Sequence, residues 1–367
     1  MCEISVIIPV FNAEKYLKHL LDSLIHQTFG FEKMEVIMID DCSTDKSKEV
    51  MERYAKKYKN IKAIYLKENH HVAGTARNVG MKEATGKYYM FADADDFFTE
   101  NACKMMYDAI EEKNADFITA NYINTDENGT LWNKPIFDQE KYKDFKLSIK
   151  DFKKSFFILN SSACNKIFRA SFVKEKKIQF LEGVPAEDAF FTTSCFIQSK
   201  KVYYLKEVMY CYRQRNKDKK TNSVSFSLSR DYFRRINIAY RAIYENFRDH
   251  KQIAFYRYTY AKNMSYMLYK FIDSKALTDE ERIDVMKEMR WFYELSEKLR
   301  VPACQMAQSM IVNKIIKEDY EEALNYCKIV ADIRNFLPKE IREDMSRPDA
   351  AMYQKIEKYN EEYEEEN

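Results

Sequence analysis

The chain has 367 residues, of which 46% are hydrophobic and 32% charged, a composition typical of a folded protein with more than one domain. Its formal net charge of +2 gives no electrostatic argument for nucleic acid as a partner. No run of about 18 apolar residues occurs, and no basic leader precedes the first apolar run, so we predict neither a membrane span nor a secretory signal. Eight cysteines without Cys-x-x-Cys spacing predict reduced thiols in a cytoplasmic protein.

The N-terminal third alternates between strand and helix patterns. Ile4 to Ile8 form a short β-branched run typical of a buried parallel strand. Leucines at helical spacing follow it, which predicts an amphipathic helix. Further strands are predicted at residues 35–39, 61–66 and 88–91, and further helices at 43–58 and 101–113. This alternation predicts an α/β domain with a doubly wound sheet.

Acidic residues follow two of these predicted strands. Asp40 and Asp41 come after the second strand, and Asp93 to Asp96 after a later one. Ligands bind at the carboxyl ends of such strands. Hard divalent cations take oxygen ligands and share them with phosphates, so the acidic residues suggest a site for a metal and a diphosphate. A helix N-cap cluster explains the same residues equally well.

The C-terminal half has a different character. All six glycines occur by Gly183, and the pattern is helical from about Asp231. We predict a catalytic domain over residues 1–228, an all-α domain over 229–340 and an acidic helical or disordered tail over 341–367. Two stripes at helical spacing are predicted to form helix–helix core: Phe233, Ile236, Tyr240, Ile243, Tyr244 and Phe247, and Tyr320, Leu324, Cys327, Ile329, Val330 and Ile333.

Five segments, in chain order, resemble the signature of inverting family 2 glycosyltransferases of the bacterial cell-surface polysaccharide type. They are Val6–Asn12, Ile39–Asp45, Ala76–Gly80, Ala84–Tyr88 and Phe91–Asp96. The family usually has glycine where Cys42 stands. The resemblance is close over residues 4–96 and looser to about 225, and the C-terminal helices lie outside it. It implies a GT-A fold, which is a Rossmann-like mixed sheet, and a nucleotide-sugar donor.

The resemblance also implies how the donor is bound. Asp41 would accept the N3–H of uracil, and Pro9 would line the same pocket. Asn69 and Arg77 would contact the base or the phosphates. The loop between them carries His70 and His71, where the family often has small residues. Two adjacent histidines rarely ligate one ion, so we expect them to be solvated or to contact the donor.

A metal site is implied at the later acidic segment. Asp95 would ligate Mn²⁺ or Mg²⁺, Asp93 would hold the ribose side and share the metal, and Asp96 would support both. Each role suits a carboxylate, because a cation stabilises the charge of a departing diphosphate.

Two downstream segments complete the implied site. Glu187 and Asp188 resemble the family's Glu-Asp motif, in which a carboxylate takes the proton of the acceptor hydroxyl. A charge pair favoured by a helix N-terminus is the structural alternative. Arg213 and Arg215 are expected to clamp the diphosphate, and Lys217 to Lys220 form either part of that clamp or a solvated loop.

The predicted function is therefore transfer of a sugar from a UDP-sugar to a saccharide or lipid-linked acceptor. A nucleotidyltransferase would need a glycine-rich phosphate loop after the first strand, and Asn12 to Lys15 provide none. A catalytically weak nucleotide-sugar-binding module is the other alternative. The presence of the implied functional residues argues against it: Asp41, Arg77, Asp95 and Asp188.

The segment from Arg230 to Lys275 carries an excess of six positive charges and eight tyrosines. Basic helices with interfacial aromatics bind anionic lipid, which would place the protein on the inner face of the membrane. A packed domain with a solvated basic face, or a surface for homo-oligomers, explains the same pattern. Both readings remain open from the sequence.

Overall fold

The structure is a computed structural model that describes residues 2–215, 228–301, 306–338 and 350–365. These residues form two compact units. The first comprises 2–151 and 157–215, and the second comprises 152–156 and the described residues from 228 onward. The short segment 152–156 thus groups with the helical unit, although it lies inside the predicted domain 1–228.

Within the described residues, nine strands form one mixed sheet in the first unit. They are β1 (Ile4–Val10), β2 (Met34–Asp40), β3 (Ile61–Tyr65), β4 (Tyr88–Phe91), β5 (Phe97–Phe98), β6 (Phe117–Thr125), β7 (Phe145–Leu147), β8 (Lys166–Arg169) and β9 (Val202–Arg213). Their order in space is β3-β2-β1-β4-β8-β6-β9-β5, and β7 pairs with β9. The first four strands are parallel to one another, whereas β8 is antiparallel to both β4 and β6. The predicted α/β class with a mixed sheet is confirmed.

The helices of this unit fall between the strands. They are α1 (Leu17–Ile25), α2 (Ser47–Lys57), α3 (Ala73–Glu83), α4 (Ala102–Lys113), α5 (Phe152–Leu159), α6 (Ala170–Glu175) and α7 (Glu187–Gln198), and the first five residues of α5 belong to the second unit. The predicted leucine face of α1 is completely buried. Every residue of β2 is also buried, as expected of a parallel strand that is covered on both faces.

Strand register determines where the site lies. Val10, the last residue of β1, is opposite Asp40, the last residue of β2. Strand β4 runs parallel to β1 on its other side and ends at Phe91. The carboxyl ends of these three strands therefore lie at one edge of the sheet, where α/β proteins bind ligands.

The second unit is helical throughout the described residues. Its helices are α8 (Arg230–Asp249), α9 (Ile253–Asp273), α10 (Asp279–Lys298), α11 (Met306–Ile316), α12 (Tyr320–Asn335) and α13 (Ala350–Glu365). The predicted apolar stripe of α8 is buried, as expected. In α12 the prediction is wrong for Ile329 and Ile333, which are 53% and 55% exposed, whereas Leu324 and Cys327 are buried.

Helix α13 covers part of the predicted tail, and residues 339–349 and 366–367 lie outside the described residues. Among the helices that the structure describes, none combines the length and the apolarity needed to cross a membrane.

Candidate active site

A cavity of about 200 Å³ opens at the carboxyl ends of β1 and β2. Five of the side chains predicted to form the site line it: Pro9, Asp41, Asp93, Asp95 and Arg215. Residues from the start of α3, together with His71, form another part of the wall. The strand ends thus bring together residues that are as much as 206 positions apart in the sequence.

Asp41 is held by the loop that precedes α3. The backbone N–H of His70 lies 3.0 Å from each carboxylate oxygen of Asp41, and the imidazole Nδ1 lies 2.9 Å from Oδ1. Asn69 accepts a hydrogen bond from the backbone N–H of His71 at 2.6 Å, and its predicted contact with the donor stays a prediction. Asn69 therefore shapes the loop, and His70 contacts the carboxylate predicted to bind the base.

The conformation of Cys42 shows why the family usually has glycine at this position. Its φ of 62° lies in the left-handed region, which glycine adopts without steric cost. The family's usual glycine fits the same turn. Cysteine is tolerated here at the cost of some backbone strain, of order 1 kcal/mol.

Arg77 does not line the cavity. Its side chain is 3% exposed and donates to three carboxylates: Asp93 at 2.7 Å, Glu187 at 3.1 Å and Asp188 at 2.5 Å. Burial alone would lower the pKa of Arg77, but Asp188 and Asp93 outweigh it and raise the pKa above its usual value. The terminal nitrogens of Arg77 thus serve the three carboxylates, and the contact of Arg77 with the base or the phosphates stays a prediction.

A glycine allows this arrangement. A Cβ on Gly74, in the first turn of α3, would lie 2.0 Å from the backbone carbonyl oxygen of Leu181. The helix therefore packs directly against the segment that leads to Glu187, and this close approach requires glycine.

The three aspartates after β4 have different environments. Asp93 Oδ1 pairs with Arg77, and Asp95 Oδ2 accepts from Nε of Arg215 at 2.5 Å. Asp96 is fully buried, and its two oxygens accept hydrogen bonds from the hydroxyl of Tyr210 at 2.7 Å and the backbone N–H of Arg213 at 2.8 Å. Burial, together with Asp95 and Asp93, raises the pKa of Asp96 well above its usual range. Asp96 therefore holds the loop, and its support of a metal site stays a prediction.

The remaining two carboxylates suit a divalent cation. Asp93 and Asp95 line the same cavity, and the second oxygen of each makes no ion pair with the described residues. No group of three or more metal-binding side chains occurs within the part of the chain that the structure describes. The protein thus offers two carboxylates, a number that suits Mg²⁺ or Mn²⁺ when substrate phosphates complete the coordination.

The two arginines predicted as a clamp have separate roles. Arg213 is buried: its Nε donates to the backbone oxygen of Asp95 at 2.6 Å and one terminal nitrogen donates to that of Glu127 at 2.7 Å. Its other terminal nitrogen lies 2.8 Å from Nδ1 of His19. Arg213 therefore stabilises the loop that carries the aspartates. Of the two arginines, Arg215 is the one that lines the cavity. Lys217 to Lys220 lie outside the described residues.

Glu187 and Asp188 begin α7 and meet at Arg77. Burial and the neighbouring Asp188 raise the pKa of Glu187 to about 7. Burial also raises the pKa of Asp188, although Arg77 opposes the shift. Arg77 thus joins the acceptor-side pair predicted from the sequence to Asp93 at the cavity.

Sequence reasoning missed two buried polar residues beside this site. Tyr210 bonds to Asp96 and lies 3.0 Å from the backbone nitrogen of Asp93. Lys166 is buried, donates to Asn160, Asn165 and the backbone oxygen of Ser162, and has its pKa lowered to about 7 by burial. A lysine beside the apolar run of β8 was the available signal, because such a residue is rarely buried without partners.

Comparisons with known proteins agree with this geometry. Residues 5–175 match the family described as Glycosyl transferase family 2. The poly(ribitol-phosphate) β-N-acetylglucosaminyltransferase TarP of Staphylococcus aureus is 33% identical over 250 residues, which cover 67% of this chain and 73% of TarP. The chain belongs to glycosyltransferase family 2. The resemblance inferred from the five segments is therefore confirmed.

Other relatives are longer than this chain. The poly(ribitol-phosphate) β-glucosyltransferase of Bacillus spizizenii is 30% identical over 80% of this chain, but the match covers 44% of that protein. TarS of S. aureus is 29% identical over 62% of this chain and 38% of its own length. The chain thus spans less than half of these two relatives.

A solved structure shows the same fold. TarS residues 1–349 in complex with UDP-GlcNAc match with a TM-score of 0.72 at 22% identity, over 89% of this chain and 90% of that one. The expected GT-A domain followed by a helical C-terminal region is confirmed.

Proposed function

We propose that the chain is an inverting glycosyltransferase that moves a sugar from a UDP-sugar to a saccharide or lipid-linked acceptor in cell-surface polysaccharide synthesis. One observation carries the proposal: Arg77 connects Asp93, which lines the cavity, to the Glu187–Asp188 pair. A donor site and a candidate base on the acceptor side are what a single displacement requires.

The relatives support a narrower substrate class. Three of them are named as poly(ribitol-phosphate) glycosyltransferases that transfer glucose or N-acetylglucosamine. We therefore propose UDP-glucose or UDP-N-acetylglucosamine as donor and a polyol-phosphate polymer as acceptor.

On the donor side, Asp41 accepts the N3–H of the base, and Arg215 contacts the diphosphate. Asp93 and Asp95 would hold Mn²⁺ or Mg²⁺, which supplies positive charge to stabilise the departing UDP. Arg213 holds the loop in place by donating from its side chain to the backbone oxygen of Asp95. Asp96 holds it by accepting from the backbone N–H of Arg213. The protein's part in this half of the reaction is to position the donor and to balance charge.

On the acceptor side, Asp188 acts as the general base. The acceptor oxygen attacks the anomeric carbon opposite UDP, its proton passes to the carboxylate, and the bond to the diphosphate breaks. The configuration at the anomeric carbon is thereby inverted. Glu187 shares Arg77 with Asp188 and orients the base or the acceptor.

Replacing each acceptor-side carboxylate tests this assignment. We expect Asp188→Asn to lower the transfer rate by about 10²–10⁴-fold, because the shape is kept and the basicity is lost. UDP-sugar binding should stay near the wild-type value, since Asp188 does not line the donor cavity. Glu187→Gln, a matched change at the next residue, should cost less. The measurement is the initial rate with each UDP-sugar and a polyol-phosphate acceptor, together with NMR of the product anomer.

The outcomes separate the alternatives. Near-normal transfer by Asp188→Asn would leave Asp188 as a helix-start residue only. Tight UDP-sugar binding without transfer or hydrolysis in the wild type would favour the binding module. A product that retains the donor's anomeric configuration would contradict the single displacement.

A further inference from the structure

His70 contacts the carboxylate of Asp41 at the donor cavity through both its backbone and its ring. Asp41 lines the cavity, and its side chain is 8% exposed. His70 supplies two separate N–H groups to the one carboxylate: the backbone N–H, 3.0 Å from both oxygens, and Nδ1 of the ring, 2.9 Å from Oδ1. Because an ionised carboxylate only accepts hydrogen bonds, this geometry requires the proton on Nδ1.

The loop is shaped so that His70 presents both groups. Asn69 accepts from the backbone N–H of His71 at 2.6 Å, which closes a tight turn around His70. His71 has a φ of 63°, in the left-handed region, and α3 begins two residues later at Ala73. The turn thus presents the backbone and ring N–H groups of His70 to Asp41 while His71 lines the cavity.

The two donors have a chemical consequence for the base. Both donors point at the carboxylate of Asp41, which can accept a hydrogen bond from a ligand but cannot donate one. Uracil carries an N3–H donor, and cytosine has an unprotonated acceptor nitrogen at the same position. An ionised carboxylate fixed in the cavity attracts the first and repels the second.

We propose that His70 is a specificity-determining residue: by donating both of its N–H groups to Asp41, it fixes this carboxylate as an acceptor that selects uracil over cytosine. The proposal rests on the proposed function, because it takes Asp41 as the group that meets the base. It assigns a role to a histidine at a position where the family often has a small residue.

The test compares UDP and CDP binding, with Mn²⁺ present, by calorimetric titration. The proteins are the wild type, His70→Ala, His70→Asn and His26→Ala, a matched change at an exposed histidine at the end of α1. We expect His70→Ala to weaken UDP binding about tenfold and CDP binding much less, because one charge-assisted hydrogen bond is lost. His70→Asn, whose amide N–H occupies the place of Nδ1–H, should recover much of the selectivity. His26→Ala should match the wild type.

The outcomes distinguish failure of the proposed function from failure of the role of His70. If the wild type binds neither nucleotide, the proposed function fails irrespective of His70. If the wild type prefers UDP and His70→Ala keeps the same ratio of UDP to CDP affinity, the role of His70 is overturned and the proposed function stands. Equal weakening of both nucleotides also overturns it, since that result means the residue only supports the loop. Should His70→Ala fail to fold, His70→Gln replaces it with the same expectation, because its amide lies farther out than Nδ1.

Discussion

At the scale of single residues, the charge network around the aspartate loop distinguishes residues that line the cavity from those that hold the site together. Arg77 and Arg213 are both buried, and the terminal guanidinium nitrogens of both contact protein groups. Arg215 is the arginine that lines the cavity, and it pairs with Asp95 there. The positive charge beside Asp95 is thus supplied by a side chain that a divalent cation would have to displace or share.

The metal assignment gives a prediction at this scale. We expect Mn²⁺ to strengthen UDP binding by the wild type, and we expect Asp95→Asn to abolish that enhancement because the carboxylate charge is lost. Binding of UDP without metal should persist in the variant, since Arg215 is then released from its ion pair and can meet the phosphates. Titration of UDP with Mn²⁺ and with EDTA measures both effects.

The control is Asp22→Asn, which removes a carboxylate from α1 outside the cavity that Asp95 lines. It should show the wild-type response to Mn²⁺. If Mn²⁺ strengthens UDP binding by Asp95→Asn as much as by the wild type, Asp95 is not a metal ligand.

At the scale of secondary-structure elements, one part of the family signature has a structural purpose. Glu35 of β2 accepts from the hydroxyl of Ser5 at 2.6 Å and from the backbone of Thr85 at 2.6 Å, and it pairs with Lys62 at 3.0 Å. A Cβ on Gly86 would lie 2.5 Å from the hydroxyl oxygen of Ser5. The segment Ala84–Tyr88 therefore joins the start of β1 to β2 and β4, on the side of the sheet away from the cavity.

This junction predicts a pH-dependent stability. Burial would raise the pKa of Glu35, but its hydrogen bonds from Ser5, Thr85 and Lys62 outweigh burial and lower the pKa from 4.5 to about 2. The stabilisation is therefore complete above about pH 4.5 and is lost as the pH falls toward 2. We expect Glu35→Gln to lower the free energy of unfolding by roughly 2–3 kcal/mol at pH 7, and we expect this difference from the wild type to shrink only below about pH 4.5.

Urea unfolding of both proteins between neutral and acidic pH measures this difference. Glu112→Gln, at an exposed position in α4, is the control and should lose little stability. A deficit in Glu35→Gln that stays constant down to acidic pH would show that the ionised carboxylate is not the source of the stability.

The same elements show how much could be predicted from the sequence. A short continuous apolar run such as Ile4 to Ile8 is typical of a buried strand. The sheet, and the acidic residues at the ends of its strands, were therefore predictable. The direction in which the Arg77 side chain points was not predictable, because it depends on Glu187, which is 110 residues away in the sequence. Ile329 and Ile333 follow a helical spacing as well as their buried neighbours do, but only the packing of α12 decides which side faces solvent.

At the scale of the whole molecule, the helical unit bears on the question of membrane contact. Seven of the eight tyrosines between Arg230 and Lys275 are buried, and only Tyr266 is substantially exposed, at 39%. Aromatic anchoring at a lipid surface needs exposed rings, so these tyrosines are core residues of the helical unit. The buried tyrosines favour the packed-domain alternative.

Several basic residues of the same segment are paired with carboxylates. Arg230 pairs with Asp284 and Glu288, Arg235 with Asp231, and Arg248 with Asp249. Attraction to an anionic membrane amounts to about 1 kcal/mol for each basic residue near the surface, and a basic residue already paired with a carboxylate contributes less. We therefore expect no salt-sensitive flotation of the chain with phosphatidylcholine vesicles that contain phosphatidylserine.

The comparison is flotation with and without the anionic lipid, at low and at physiological salt. The double variant Arg234→Gln/Arg241→Gln removes two exposed positive charges from α8 and should behave as the wild type does. Flotation of the wild type that requires phosphatidylserine, weakens with salt and disappears in the double variant would contradict the prediction. Such a result would identify α8 as a lipid-binding face. Because Arg241 also lies over the ring of Trp291, urea unfolding of the double variant checks that the fold is kept.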